Sequence, residues 1–178
     1  SLFYQNVKPA GVHPRTLVSY GFKSDSLTEI VRINAALGDA YRFGTVRIPQ
    51  VSAAAFDTTG VLYAVTTKNH LYRINLSDTS STYVDSVQCA VGAMVFHPLT
   101  NELYAAAYKP IGTPRDLLVK INPANGDTSH FVKTGKNANT TGLAFDESGR
   151  LFATFGNPSQ NGQLIEINTT TGAVTDIG

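Results

Sequence analysis

Residues 55–75 read AFDTTGVLYAVTTKNHLYRIN, and variants of the same phrase return as VFHPLTNELYAAAYKPIGTPRDLLVKIN at 95–122 and AFDESGRLFATFGNPSQNGQLIEIN at 144–168. Each ends on Ile-Asn, and one earlier copy of that dipeptide makes four: Ile33-Asn34, Ile74-Asn75, Ile121-Asn122 and Ile167-Asn168, at intervals of 41, 47 and 46 residues. Phe56, Phe96 and Phe145 keep the same beat, each opening a turn that leads into a Leu-Tyr or Leu-Phe strand. Units of this length built from several short strands are the pattern of propeller blades. Helical solenoids are excluded, because no window shows apolar residues at i, i+3, i+4 and i+7.

Alternation and turn residues divide each unit into four strands. In the second unit these are strand A at Ser52 to Phe56, strand B at Val61 to Thr66, strand C at His70 to Ile74 and strand D at Thr82 to Gln88. Asp57-Thr58-Thr59-Gly60 makes the A–B turn and is matched by Asp146-Glu147-Ser148-Gly149. Asp bonds the backbone two residues on, and Gly accepts the left-handed conformation that closes the loop. The third unit substitutes His97-Pro98-Leu99-Thr100-Asn101, and the first a shortened His13-Pro14-Arg15-Thr16. In strand C, Val31, Tyr72, Val119 and Ile165 alternate with Arg32, Arg73, Lys120 and Glu166, so the two sets face opposite sides of the sheet. The four Asn residues then open Asx-type C–D turns. A single blade cannot bury both its faces, and stacked copies can.

The repeat resembles the F-D-x-x-G-x-L-Y-A…L-Y-x-I-N-x-x-x-G units of NHL-like, gluconolactonase-like and streptogramin-lyase-like propellers, over nearly the whole chain. The resemblance implies an all-β fold, a β-propeller of about four four-stranded blades, as a half-propeller or partial ring. It leaves activity open, since such repeats serve many functions. Streptogramin-lyase-like enzymes need a His and an acid on neighbouring blades, and neither maps onto this sequence. WD40 and quinoprotein repeats fit poorly because the chain has no Trp, and the double glycines of kelch repeats are missing.

The 178 residues form one expected domain, 1–178, with blades at 1–48, 49–89, 90–136 and 137–178. An apolar share of 42% and a net charge of +1 are those of a folded, soluble protein. The 14 basic residues are scattered, which argues against a nucleic-acid partner. No stretch approaches the ~20 apolar residues of a membrane helix, so membrane insertion is not expected. With no leader-like segment and no initiating Met, the chain reads as a processed protein or an excised domain. A composition rich in Thr, Ser, Asn and Gly and poor in Lys and Glu points to an extracellular or periplasmic setting. Cys89 is the only cysteine and reads as a small buried hydrophobe.

Four units raise the question of closure. An open arc would leave two blade faces bare, each exposing on the order of 400 Å² of apolar surface, or ~10 kcal/mol at about 25 cal/mol per Å². The expected partner is therefore a second copy, giving a homodimer, or the further blades of a longer chain; a small four-bladed ring is the other possibility.

No cofactor or metal is expected. His13 and His97 each precede Pro at the same point of the repeat, and no His pair has metal-site spacing. Asp57 and Asp146 are turn formers, and no glycosidase-like acid pair, G-x-S-x-G or phosphate-binding fingerprint occurs. Binding residues concentrate in loops. The long B–C loops at 108–116 and 155–162 share one face with the D–A loop at 135–140. The candidate ligand-binding residues are Tyr108, Lys109, Arg115, Asp116, Lys136, Asn137, Phe155, Asn157 and Gln160, joined by His70 at the end of the second B–C loop. Rings, amides and a few charges suit sugar hydroxyls or an extended peptide. The expectation is a non-catalytic binding module recognising a carbohydrate or protein; the alternative is a lyase- or lactonase-like enzyme, or a fragment of one.

Overall fold

The structure, a computed structural model, describes residues 8–12, 19–24, 27–34, 36–37, 39–108, 117–135, 139–157 and 160–178. Alternating apolar and polar residues between Gly- and Asn-containing turns give sixteen strands and no helix among the described residues. The first blade holds β1 (Lys8–Val12), β2 (Ser19–Ser24), β3 (Thr28–Asn34) and β4 (Asp39–Val46). The second holds β5 (Val51–Phe56), β6 (Leu62–Thr66), β7 (His70–Ile74) and β8 (Ser81–Ser86). The third holds β9 (Ala90–Phe96), β10 (Leu103–Tyr108), β11 (Leu117–Ile121) and β12 (Thr128–Lys133). The fourth holds β13 (Asn139–Phe145), β14 (Leu151–Asn157), β15 (Gln160–Ile167) and β16 (Val174–Asp176). Each blade is an antiparallel sheet whose strands follow one another in sequence order. The turn expected at His13 to Thr16 lies outside the described residues.

The four sheets are arranged as a β-propeller. Their first strands neighbour one another in the order β1, β5, β9, β13, and no comparable contact joins β13 back to β1 among the described residues. Among the described residues, the arc is not closed between its first and last blades. Each first pair of strands carries a register irregularity, at Pro9/Gly11, Val51/Ala53, Ala106/Ala107 and Thr140/Gly142. Such bulges sharpen the local twist.

The core lies between blades, in three clusters. Tyr20, Phe22, Ile30 and Val46 of the first blade meet Phe56, Leu62, Ala64 and Ile74 of the second. Val65, Leu71 and Cys89 meet Met94, Phe96, Leu103 and Val119 of the third. Tyr104 and Leu118 meet Leu151, Ala153, Ile165 and Ile167 of the fourth. The second and third blades thus use one set of alternate side chains for the blade before and the other for the blade after, as period-two strands require. In the strand-C column that faces the preceding blade in blades two to four, Val119 and Ile165 are fully buried and Tyr72 is half-buried; their counterpart in the first blade, Val31, is fully buried as well.

The turns form as their residues dictate. Asn34 Oδ1 accepts from the N–H groups of Ala36 and Leu37, Asn75 Oδ1 from Ser77, Asn122 Oδ1 from Ala124, and Asn168 Oδ1 from Thr170 and Thr171. Asp57 Oδ1 accepts from the backbone N–H groups of Thr59 and Val61 at 2.9 and 2.8 Å, and Asp146 Oδ1 from those of Ser148 and Arg150 at 3.0 and 2.9 Å.

Candidate functional site

The B–C and D–A loops open on one side of the blades, the A–B and C–D turns on the other. On the first side the described part of the candidate set is His70, which meets two rings on the face of the second blade turned to the first. Asn69 adopts a left-handed backbone (φ 63°), and its carbonyl accepts the Val87 N–H at 2.8 Å, so the B–C loop is tied to the end of strand D. His70 follows, its N–H donating to Thr66 Oγ1 at 3.2 Å. Register places His70 opposite Ser86 and Tyr72 opposite Tyr83, with a bulge between Leu71 and Tyr72. Three rings therefore share one face of the sheet. His70 and Tyr83 meet edge-on at 5.5 Å between centroids, Tyr72 and Tyr83 at 5.6 Å, and His70 and Tyr72 at 6.5 Å. Tyr83 is 48% exposed. Its hydroxyl is 3.0 Å from Ser86 Oγ, so the cluster presents apolar ring surface beside a hydroxyl pair.

Of the residues expected at the site, His70 is the one whose side chain is described. Tyr108 ends β10 opposite Ala90, Phe155 and Asn157 end β14, and Gln160 begins β15 opposite Asn157. The backbone thus brings these four to the same side of the propeller as His70, on three consecutive blades. Lys109, Arg115, Asp116, Lys136 and Asn137 lie outside the described residues. Tyr72 and Tyr83 were missed by the sequence reading. Alternation along each strand does not pair them; the cross-strand register does.

The opposite side is built from committed groups. Lys120 Nζ donates to Glu102 Oε1 at 2.7 Å, and Thr100 Oγ1 to Glu102 Oε2 at 3.0 Å. The lysine hydrogen bond holds the Glu102 carboxyl below its usual range, and the same bond raises Lys120. Burial, and then the Asp57 carboxylate, push the Tyr63 phenol up. Arg150 Nε donates to Asp146 Oδ2 at 2.7 Å. A depression of about 420 Å³ lies over the second blade, walled by Gly60, Val61, Arg73, Asn75, Ser77 and Thr82 among others. His97 Nδ1 accepts from the N–H groups of Leu99 and Thr100, which makes it a turn former. His130 Nε2 donates to the Thr169 carbonyl of the fourth blade. Among the described residues, no three His, Cys, Asp or Glu side chains gather in a way that could hold a metal ion, and no helix is long and apolar enough to cross a membrane.

No protein-family model matches the chain, and no curated protein matches it. Solved structures do. A structural genomics protein of unknown function from Bacteroides thetaiotaomicron superposes with a TM-score of 0.71 at 17% identity, over 95% of this chain and 46% of that one. Hydrazine synthase from Kuenenia stuttgartiensis gives 0.66 at 14% identity, over 99% and 53%. A chain of a mitotic checkpoint complex gives 0.53 at 17% identity, over 90% and 48%. The chain spans about half the length of these solved chains, and at such identities the likeness is one of fold.

Proposed function

We propose that this chain is a non-catalytic propeller module that binds carbohydrate on the side where its B–C and D–A loops open. The observation that carries the reading is the ring cluster of His70, Tyr72 and Tyr83, with Tyr83 half exposed beside Ser86. A pyranose has an apolar C–H face and a rim of hydroxyls; a tyrosine ring covers the first, and hydroxyl or amide side chains bond the second. The sequence carries further rings, amides and charges at Tyr108, Lys109, Arg115, Asp116, Lys136, Asn137, Phe155, Asn157 and Gln160, in loops expected on that same side. Kinship with the NHL-, gluconolactonase- and streptogramin-lyase-like group belongs to this reading, as does an extracellular or periplasmic site of action, where glycans are abundant.

A glycan array followed by calorimetric titration of the bound sugar tests it. Binding is expected, reduced at least about tenfold by Tyr83→Ala, which removes one stacked ring worth about 1.4 kcal/mol or more. No binding to any glycan, binding indifferent to both Tyr83→Ala and Tyr108→Ala, or turnover of a lactone or lyase substrate overturns it.

A further inference from the structure

Each blade is joined to the next by the same contacts, repeated three times. A tyrosine of strand B meets the phenylalanine ending the next strand A: Tyr20 with Phe56, Tyr63 with Phe96 and Tyr104 with Phe145, at 5.5, 5.3 and 5.3 Å between centroids. On the same face, Ile30, Leu71 and Leu118 of strand C are 0%, 0% and 1% exposed. The C–D turn of each blade rests on the outer strand of the blade before: Thr79 against Gly44, Gly126 against Asp85 and Gly172 against Lys133.

Among the described residues, both ends of the arc hold unmatched members of this series. In the fourth blade, Phe152 takes the place of the three tyrosines, opposite Glu166 where the others carry Arg32, Arg73 and Lys120. Leu164 takes the place of Ile30, Leu71 and Leu118, yet it is 40% exposed, and Ile177 beyond β16 is exposed as well. In the first blade, Val12 stands opposite Ser19 as Phe56 stands opposite Leu62, and it too is exposed. So is Leu37, on the first C–D turn. One row deeper, Gly21 and Val31 are already buried, which confines the vacant acceptor to the row of Val12, Ser19 and Ile33 and the turn beside it.

We propose that the outward face of the fourth blade seats on the first blade of a second copy of this chain, head to tail, and that two copies about a two-fold along the propeller axis close an eight-bladed ring. Continuity favours this occupant. The contact that would form occupies the place of one made three times within the chain, with Phe152 against Val12 where the others pair a tyrosine with a phenylalanine. Each copy offers one donor face and one acceptor face, so a two-fold pair satisfies all four and leaves no blade bare. The assembly stands apart from the glycan reading, since neither Tyr83 nor His70 enters it.

Size-exclusion chromatography with light scattering tests it on the full chain. The expected mass is twice the 19.1 kDa of one chain, halved by Phe152→Arg and by Val12→Arg alike, with circular dichroism unchanged. Mixing the two variants should restore part of the dimer, because one of the two junctions in a mixed pair joins native faces while neither variant alone has such a junction. A wild-type monomer overturns the proposal and assigns the open face to a blade supplied from elsewhere. A dimer indifferent to Val12→Arg overturns it in favour of fourth blade against fourth blade.

Discussion

In the A–B turn of the third blade, His97 Nδ1 accepts from the backbone N–H groups two and three residues on, at 3.2 and 3.3 Å, where the neighbouring carboxylates accept from those two and four residues on, while its ring lies 4.6 Å from that of Phe145 on the fourth blade. The residue therefore works twice, as a turn acceptor and as an inter-blade contact. His97→Ala is expected to cost about 2 kcal/mol by urea denaturation, because both roles go. His97→Asp restores the acceptor and not the ring, so it should fall about midway. Asp146 shows the carboxylate version. The N–H of Arg150 first, then the Ser148 hydroxyl, hold its carboxyl down to about 2. Since the folded value lies below the unfolded one, the ionised group stabilises the fold at neutral pH, and that contribution is lost as pH falls through the carboxylate range toward about 2. Asp146→Asn should thus be less stable than wild type at pH 7 in low salt, with the two denaturation midpoints converging on acidification. A gap independent of pH would show that the turn does not depend on the charge.

The C–D turns convert sequence into blade contacts most directly. Gly172 sits at φ 77°, and a Cβ there would overlap the Lys133 carbonyl oxygen and Cγ1 of Val132 on the third blade. Gly135 has a similar φ of 69°, and among the described residues nothing lies within 4 Å of the same position. Gly135→Ala should therefore cost about 1 kcal/mol, for the backbone conformation alone, and Gly172→Ala roughly 3 kcal/mol or more, for conformation plus overlap with main chain; thermal unfolding of the pair separates the two terms. Strand C and its Asn turn were legible because period-two alternation and an Asx residue are local signals, and β7 runs over the same residues the alternation marks. The bulges at Val51/Ala53 and Ala106/Ala107 were not, since runs of Ala and Val pair equally well in either register, and packing against the neighbouring blade selects one. For the same reason the ring cluster escaped notice. Tyr72 and Tyr83 are brought together by a cross-strand register containing a bulge, which spacing along the chain does not encode. His70 was legible because it ends a loop.

At the scale of the whole molecule, one position in four blades reports on how the ring is completed. Leu71 and Leu164 occupy the same place in their sheets, opposite Val65 and Thr154, but the first is sealed beneath the third blade and the second lies open. Truncating a sealed leucine removes its transfer free energy and leaves a cavity, so Leu71→Ala should lower stability by about 3 kcal/mol at any protein concentration. Leu164→Ala in a dilute, dissociated chain removes little that water did not already reach and should cost less than about 1 kcal/mol. Association changes that balance, because a partner that binds only the folded chain raises its apparent stability by mass action. Thermal unfolding across roughly a hundred-fold range of concentration should then raise the wild-type midpoint more than that of Leu164→Ala, while Leu71→Ala rises in parallel with wild type. Parallel lines for all three would mean that the open face of the fourth blade draws no stability from association.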